Sequence, residues 1–475
     1  GPFSSLYGSE ALGGVIQIFT RDARGEPRVS AYLAGGSYST GRGSASVDAR
    51  GERGWYRVST AIDETDGFNA CRGSSSAGCF TDEPDADGYT NRSLQLAGGW
   101  RFSPIAAIEL RSLRADSENE FDGGFTNEME ASQRVYSAKL DLTPNDRLAL
   151  AFRVGHNADL ADNYLDGRYR SSFDTERDSA GVQGDLGLGS GLLTLGLDWH
   201  RDEVTSSTAY TVDARTQKAL FAQWQQTMGA ASLQVAARRD DDSQFGNETT
   251  GSLLWGWSFR EGLRLTASAG TAFRAPSFND LYFPGFGNPA LRPETSDSIE
   301  LGLRGSPAWG GWAIAVFRTE VEELIAFDPV LFIPVNINRA RIDGLELSAE
   351  GELFGTQVRS SATWLDARNV EEGVRDGLEL PRRAPRSAQI DLDRRYGRFG
   401  LGASLFAASA RYDDLGNQTR LPGYATLDLR LSWALHADWT LQLAGNNVLD
   451  RSYETAAFYN QAGRTWTLGL RYSPR

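Results

Sequence analysis

The chain has 475 residues, with 48 lysines and arginines against 62 aspartates and glutamates, a formal net charge of −14, 40% hydrophobic and 23% charged residues. No run approaches the roughly 18 consecutive apolar residues of a membrane-spanning helix, which excludes a helical integral membrane protein and leaves a β-barrel open. An acidic chain whose only lysines are Lys139 and Lys218, with no basic stripe, is unsuited to nucleic acid.

Gly1-Pro-Phe-Ser-Ser5 carries no charged n-region or apolar h-region, so the expectation is a start removed by processing or truncation. Residues 1–22 are Gly-rich and end in a short apolar stretch, and the charged link Arg21-Asp-Ala-Arg-Gly-Glu-Pro27 follows. This segment reads as the tail of another domain, with the boundary between 27 and 28.

From Arg28 to the end the text repeats one unit, about ten residues of alternating polar and apolar character and then a break. Arg28-Val-Ser-Ala-Tyr-Leu-Ala34, Leu148-Ala-Leu-Ala-Phe-Arg-Val154 and Thr426-Leu-Asp-Leu-Arg-Leu-Ser-Trp433 are examples. Period two predicts strands with two different faces. The breaks alternate in length: short ones at 51–54, 143–146, 189–191 and 434–438 take turns with long acidic or Gly-rich ones at 67–88, 117–132, 158–177, 274–295, 323–340 and 367–384. Tight turns on one rim and long loops on the other are the pattern of an outer-membrane barrel, and the count is about 22 strands at roughly 20 residues each with its connection. Trp55, Tyr56, Trp100, Phe102, Trp199, Trp255, Trp257, Trp309, Trp312, Trp433 and Trp439 fall near segment ends, as interfacial girdles do, the alternative being ordinary core aromatics. The predicted fold class is therefore all-β, a 22-stranded antiparallel transmembrane barrel over 28–475 preceded by a remnant of a second domain over 1–27.

Cys71 and Cys79 bracket a polar, flexible run that closes easily into a small ring, so a disulfide and an oxidising compartment are expected over two buried free thiols. The stretches 67–88 and 117–132 hold Asn69, Asp82, Glu83, Asp85, Asp87, Asp122, Glu128 and Glu130. Hard oxygen ligands from two loops suit calcium, and a solvated acidic loop is the plainer alternative. His156, His200 and His436 are far apart, and no metalloprotease, nucleophile-elbow or phosphate-loop motif is present, so no enzyme is expected.

Several motifs resemble one family. Gly1-Pro2, Leu6-Tyr-Gly8 and Gly13-Gly-Val-Ile16 resemble the end of the plug domain of TonB-dependent outer-membrane receptors. Phe273-Arg-Ala-Pro-Ser-Phe-Asn-Asp-Leu-Tyr282, Gly287-Asn-Pro-Ala-Leu-Arg-Pro-Glu294, Ile342-Asp-Gly-Leu-Glu346 and Asn446-Asn-Val-Leu-Asp-Arg-Ser-Tyr-Glu454 extend the resemblance along the chain. Ala236-Ala-Arg-Arg-Asp-Asp-Asp-Ser-Gln-Phe-Gly246, Gly285-Phe-Gly-Asn-Pro289 and Tyr453-Glu-Thr-Ala-Ala-Phe-Tyr-Asn-Gln-Ala-Gly-Arg464 are similar to the cobalamin (vitamin B12) receptors within it. Siderophore receptors share the plug ending and the Asn-Pro-x-Leu-x-Pro-Glu pattern.

The resemblance implies an outer-membrane protein embedded in lipid. Loops capture the corrinoid outside, and the inner-membrane partner TonB pulls on an N-terminal box to move the plug. It implies structural calcium in the loops, with ligands falling on Asn69, Glu83, Asp85, Asp87, Asp122 and the Phe121 carbonyl, and on Glu130; Asn69 and Glu130 depart from the family pattern. The third and fourth loops are shorter here, so one cation site is expected rather than two. Cobalamin contacts carried over by position are Arg382, Phe173 and the loop after Arg411-Tyr-Asp413. An arginine at a loop base donates to a corrinoid amide or phosphate, or else pairs with a carboxylate in the lumen. With most of the plug and any TonB box outside this sequence, the chain as written is expected not to transport. The rival readings are a ferric-siderophore receptor and a passive pore.

Overall fold

A computed structural model of the chain describes residues 5, 8–9, 11–18, 23–74, 77–328 and 331–474. The rest of the plug-like opening and residues 75–76 of the cysteine-bracketed run lie outside the described residues. The first strands are β1 (Arg28–Gly36), β2 (Gly41–Arg50), β3 (Gly54–Phe68), β4 (Asp87–Ser103), β5 (Ala106–Glu120), β6 (Glu128–Asn145), β7 (Leu148–Leu165) and β8 (Arg168–Leu188). There follow β9 (Gly191–Ser206), β10 (Ala214–Met228), β11 (Ala231–Asp242), β12 (Gly246–Arg260), β13 (Leu263–Arg274), helix α1 (Phe278–Tyr282), β14 (Glu294–Gly305), β15 (Gly310–Asp328) and β16 (Ile333–Leu353). The last are β17 (Thr356–Asn369), β18 (Arg386–Tyr396), β19 (Phe399–Ala408), the two-residue pair β20 (Arg411–Tyr412) and β21 (Arg420–Leu421), β22 (Tyr424–Ala434), β23 (Trp439–Asn446) and β24 (Thr465–Tyr472).

All except β20 and β21 form one 22-stranded sheet in which sequence neighbours pair antiparallel, and β1 pairs with β24 to close the ring. Closure leaves no edge strand, the condition for crossing a bilayer with sheet. Strand alternation then sorts the side chains. Leu33, Leu96, Leu110, Val154, Leu197, Ile299 and Leu429 are all exposed on the outer wall, where acyl chains take the place of water. The alternate positions face a wet, polar lumen crossed by ion pairs such as Lys139–Asp141 at 2.9 Å and Arg177–Asp202 at 2.5 Å.

The short connections lie on one rim, the periplasmic one by the general rule for such barrels. Phe354 and Gly355 both take positive φ, +52° and +76°, the backbone of a tight hairpin turn matched to strand twist. Outward-facing Trp100, Trp257, Phe399, Trp433 and Trp439 gather near this rim, with Phe399 stacked on Trp433 at 5.7 Å. Trp55 differs from the expected girdle: it pairs with Gly99 and carries the Arg50 guanidinium over its ring on the lumen side, because it alternates with outward-facing Tyr56.

Two of the predicted long loops are strands. Residues 158–177 form the upper halves of β7 and β8 around the two-residue turn Asp166-Gly167, and 323–340 are mostly the hairpin of β15 and β16. In the first of them, outward-facing Asp162, Asp174 and Glu176 interrupt the apolar alternation.

Of the plug-like opening, Ser5, Gly8, Ser9 and Ala11 lie against the lumen wall, and residues 13–18 are exposed. The Ser5 hydroxyl shares a hydrogen bond with that of Ser252 (2.9 Å), Ser9 donates to Gln217 (3.3 Å), and Ser5 and Ala11 are fully buried.

Candidate functional site

The long-loop rim carries the functional candidates. Between β3 and β4, Cys71 and Cys79 are joined by a disulfide with a Cα–Cα distance of 6.3 Å. The 121–127 loop between β5 and β6 is closed by the Phe121 N–H donating to Asn127 O at 2.9 Å. Glu83 ties the two loops together: its carboxylate accepts from the Gly123 N–H (3.0 Å) and from Asn127 Nδ2 (3.4 Å). Asp87, at the foot of β4, accepts from the Ala70 N–H at 2.6 Å.

Two oxygens in this cluster have no partner among the described residues. Asn69 donates through Nδ2 to the Glu83 carbonyl at 3.0 Å, which leaves its Oδ1 buried and unbonded; Asp122 Oδ2 is buried and unbonded as well. Burial pushes the Asp122 carboxyl up to about 6, and the negative charges of Asp87, Glu83 and Asp85 add to the shift against the opposing Cys71 N–H. Asp87 is raised too, by burial first and then by Asp85, Glu120 and Glu83. Among the described residues no basic side chain relieves either group. The disulfide sulfurs lie within 4.8 Å of an Asp122 oxygen, but bonded to each other they offer no thiolate, so the donor set is all oxygen. Partly buried, uncompensated carboxylates beside two buried oxygens with free lone pairs are the donor chemistry of a hard divalent cation.

Asn69, Glu83, Asp87 and Asp122 are thus brought together, and Asp85 is near enough to repel two of them. Glu130 stands apart. The register places it on the outward face of β6, in step with Ala138, which pairs with the lipid-facing Leu110, and its polar neighbour is the Tyr164 hydroxyl at 3.4 Å.

A chain of contacts leads from this cluster around the rim. Asn460, in the last long loop, donates to the carbonyls of Asn69 and Ala70 at 2.9 and 2.8 Å, and Arg72 pairs with Glu454 at 2.7 Å. The Ala457 N–H donates to Asp413 Oδ1 at 3.1 Å, and the same carboxylate pairs with Arg382 at 2.7 Å. Arg382 therefore lies at a loop base with a carboxylate partner, its guanidinium still half in solvent. Phe173, near the top of β8, rests against Tyr210 at 5.6 Å, and Tyr210 donates to Asn279 of α1 at 2.7 Å. β8 and β18 stand ten places apart in the ring of 22, so Phe173 and Arg382 face each other from nearly opposite walls of the mouth.

Sequence reasoning missed Asn127 and Asn460, whose value as clasps depends on which loops the barrel sets side by side. It also read 274–295 as one long loop, where α1 begins with a capping box: Ser277 accepts from the Asp280 N–H at 3.1 Å and Asp280 accepts in return at 2.9 Å.

Residues 29–448 match the family described as TonB dependent receptor-like, beta-barrel. The chain belongs to the TonB-dependent receptor family. A curated relative, "Vitamin B12 transporter BtuB" of Photobacterium profundum, is 30% identical over 486 residues, covering 99% of this chain and 78% of the relative. Among solved structures, a mutant of the ferric enterobactin receptor PfeA from Pseudomonas aeruginosa superimposes with a TM-score of 0.84 at 18% identity, covering 100% of this chain and 84% of that one. The siderophore receptor PirA from Acinetobacter baumannii gives 0.84 at 14%, over 100% and 84%. The copper transporter OprC gives 0.79 at 16%, over 96% and 81%. Likenesses at this identity speak for the fold. As a TonB-dependent receptor, the protein resides in the outer membrane; receptors of this family bind a substrate ligand and work with TonB, and the family is one of receptors and transporters, not enzymes.

Proposed function

We propose that this receptor captures cobalamin and passes it to the periplasm, with a calcium ion holding the capture loops. The observation that carries the substrate is likeness over 99% of the chain to a protein named as a vitamin B12 transporter. What supports the cation is the pair of unbonded buried oxygens, Asn69 Oδ1 and Asp122 Oδ2, among carboxylates that lack a basic partner among the described residues. Asn69, Glu83, Asp85, Asp87, Asp122 and the Phe121 carbonyl are the donors proposed to hold it. When bound, the ion supplies the countercharge that lets the 69–86 and 121–127 loops stay together. Arg382 and Phe173, on facing walls of the mouth, are proposed to meet the corrinoid's polar rim and flat face.

We read residues 1–27 as the C-terminal end of the plug, which the burial of Ser5 and Ala11 against the lumen wall supports. A ferric siderophore is the second reading, since siderophore receptors share the plug ending and the Asn-Pro-x-Leu-x-Pro-Glu pattern found at 288–294. Equilibrium binding of cyanocobalamin to the full-length receptor in detergent, with calcium and then with chelator, separates them. Corrinoid binding that weakens on chelation supports the proposal; saturable binding of a ferric siderophore and none of the corrinoid overturns it.

A further inference from the structure

The outer wall formed by β17, β18, β19, β22, β23 and β24 is not smooth. Leu392, Ala403, Leu429 and Gly445 form one cross-strand row on its lipid side. The two small residues in that row leave a furrow, because the rows on either side are large: Ile390, Leu405 and Leu427 above, and Leu401, Leu431, Leu443 and Leu468 below. At Gly445 a side chain has no room, since an added Cβ would lie 2.5 Å from the ring of Trp466, which leans across to close the furrow's far end. The hollow so formed encloses about 520 Å³ and is almost wholly apolar in its lining. This falls within the usual range of about 300–1,000 Å³ for sites that hold small ligands.

Two arginines border the hollow, Arg430, which is paired with Asp393, and Arg394. Arg394 heads the row that continues as Leu401 and Leu431, and it faces outward beside the Tyr396 ring, 4.6 Å from its centroid. Its Nη1 donates to Thr356 Oγ1 at 3.4 Å. The nearest carboxylate in sequence, Asp393, points to the lumen and is taken by Arg430 at 3.2 Å and Arg359 at 3.5 Å. Among the described residues Arg394 has no carboxylate partner. Its height is set by the adjoining tight turns 354–355 and 397–398 and by the girdle residues Phe399 and Trp433, the level at which headgroups lie.

An apolar hollow bordered by an uncompensated guanidinium, a hydroxyl and an aromatic ring matches one chemistry, an acyl chain attached to a phosphate. We infer that this wall carries a binding site for one anionic glycerophospholipid of the periplasmic leaflet. The phosphate is held by Arg394 and the Thr356 hydroxyl, and the chain lies over Ala403 against Leu392 and Leu429. Guanidinium and phosphate form a charge-assisted pair that a girdle arginine merely reaching for water lacks. The inference depends on the barrel and its membrane, not on which substrate the receptor takes.

The test is native mass spectrometry of the full-length receptor in mild detergent, loaded with palmitoyl-oleoyl phosphatidylglycerol or its phosphatidylethanolamine counterpart. The wild type should retain one phosphatidylglycerol in preference to phosphatidylethanolamine, and lipopolysaccharide, which belongs to the opposite leaflet, should not displace it. Arg394→Gln should lower retention of phosphatidylglycerol about tenfold and erase the headgroup preference. Ala403→Leu, which fills the furrow and leaves the charge in place, should lower retention of both lipids. Heat-modifiable migration of each variant on gels verifies that the barrel has formed. Equal retention by wild type and both variants, or displacement by lipopolysaccharide, overturns the inference.

Discussion

Two carboxylate clusters in this barrel differ in burial and in countercharge. In the lumen, Arg238 is 4% exposed and holds Asp198 at 2.6 Å and Asp240 at 3.0 Å, while Gln217 donates to Asp240 at 3.1 Å. Negative charge there has its own counterion, built into the same strands, and the cluster is complete as a piece of wall. On the rim, Glu83, Asp85, Asp87 and Asp122 converge with backbone and amide N–H groups to meet them, and two oxygens remain unbonded among the described residues. The lumen cluster carries its own countercharge, and the rim cluster is where the proposed cation would supply one.

The comparison can be broken from either side. The largest effect is expected in the lumen: Asp240→Ala leaves Arg238 half paired in a fully buried place, at a cost on the order of 3 kcal/mol in barrel stability read from denaturant midpoints. Calcium should make no difference to that loss. On the rim, opening the disulfide with Cys71→Ala and Cys79→Ala should cost about 2–3 kcal/mol in the local order of residues 69–86. Hydrogen exchange should register it in those residues while the strands stay protected, and thiol labelling of the unreduced wild type should find no free cysteine.

The next effect belongs to the cation. Asp85→Ala with Asp87→Ala should weaken calcium binding on the order of 10–100-fold and corrinoid binding with it, measured by titration calorimetry. Unchanged corrinoid affinity in the presence of calcium would show that the rim cluster is no more than a solvated acidic patch. A pH series sharpens the same point. Asp122 has its pKa raised to about 6, so its protonated form is favoured in the folded loops. In calcium-free protein the order of residues 69–86 and 121–127 should therefore be greatest at low pH and fall as pH rises from about 4 through 6. Hydrogen exchange corrected for its intrinsic pH dependence reads this; a flat profile means the carboxylates do not repel.

Arg382 provides the smallest change. Its pair with Asp413 is half in solvent, so Arg382→Ala should alter stability by no more than about 1 kcal/mol. A loss of corrinoid affinity larger than that given by Asp413→Ala would assign the guanidinium to the ligand; equal losses would assign it to the loop.

Much of this was legible in the chain. Strands such as Thr426–Trp433 announce themselves because leucines must alternate with polar residues when one face meets lipid and the other meets water. The strands rising above the membrane were hidden for the converse reason. Asp162, Asp174 and Glu176 on the outer face of β7 and β8, with Leu160 among them, interrupt the apolar alternation, and only the turn dipeptide Asp166-Gly167 could have revealed that hairpin. The same loss of pattern concealed that Glu130 points outward from β6, away from the oxygens it accompanies in sequence.

The kind of molecule was written in the chain: alternation, turn spacing and family motifs are local properties, and they suffice for a 22-stranded outer-membrane receptor. Which oxygens converge was settled by folding in three dimensions, because Asn69 and Asp122 meet only when β3, β4 and β5 have paired in register, and Asn460 reaches them only once β24 has closed on β1. Closure of the ring is a global constraint, and the charges it leaves uncompensated cannot be counted until it is made.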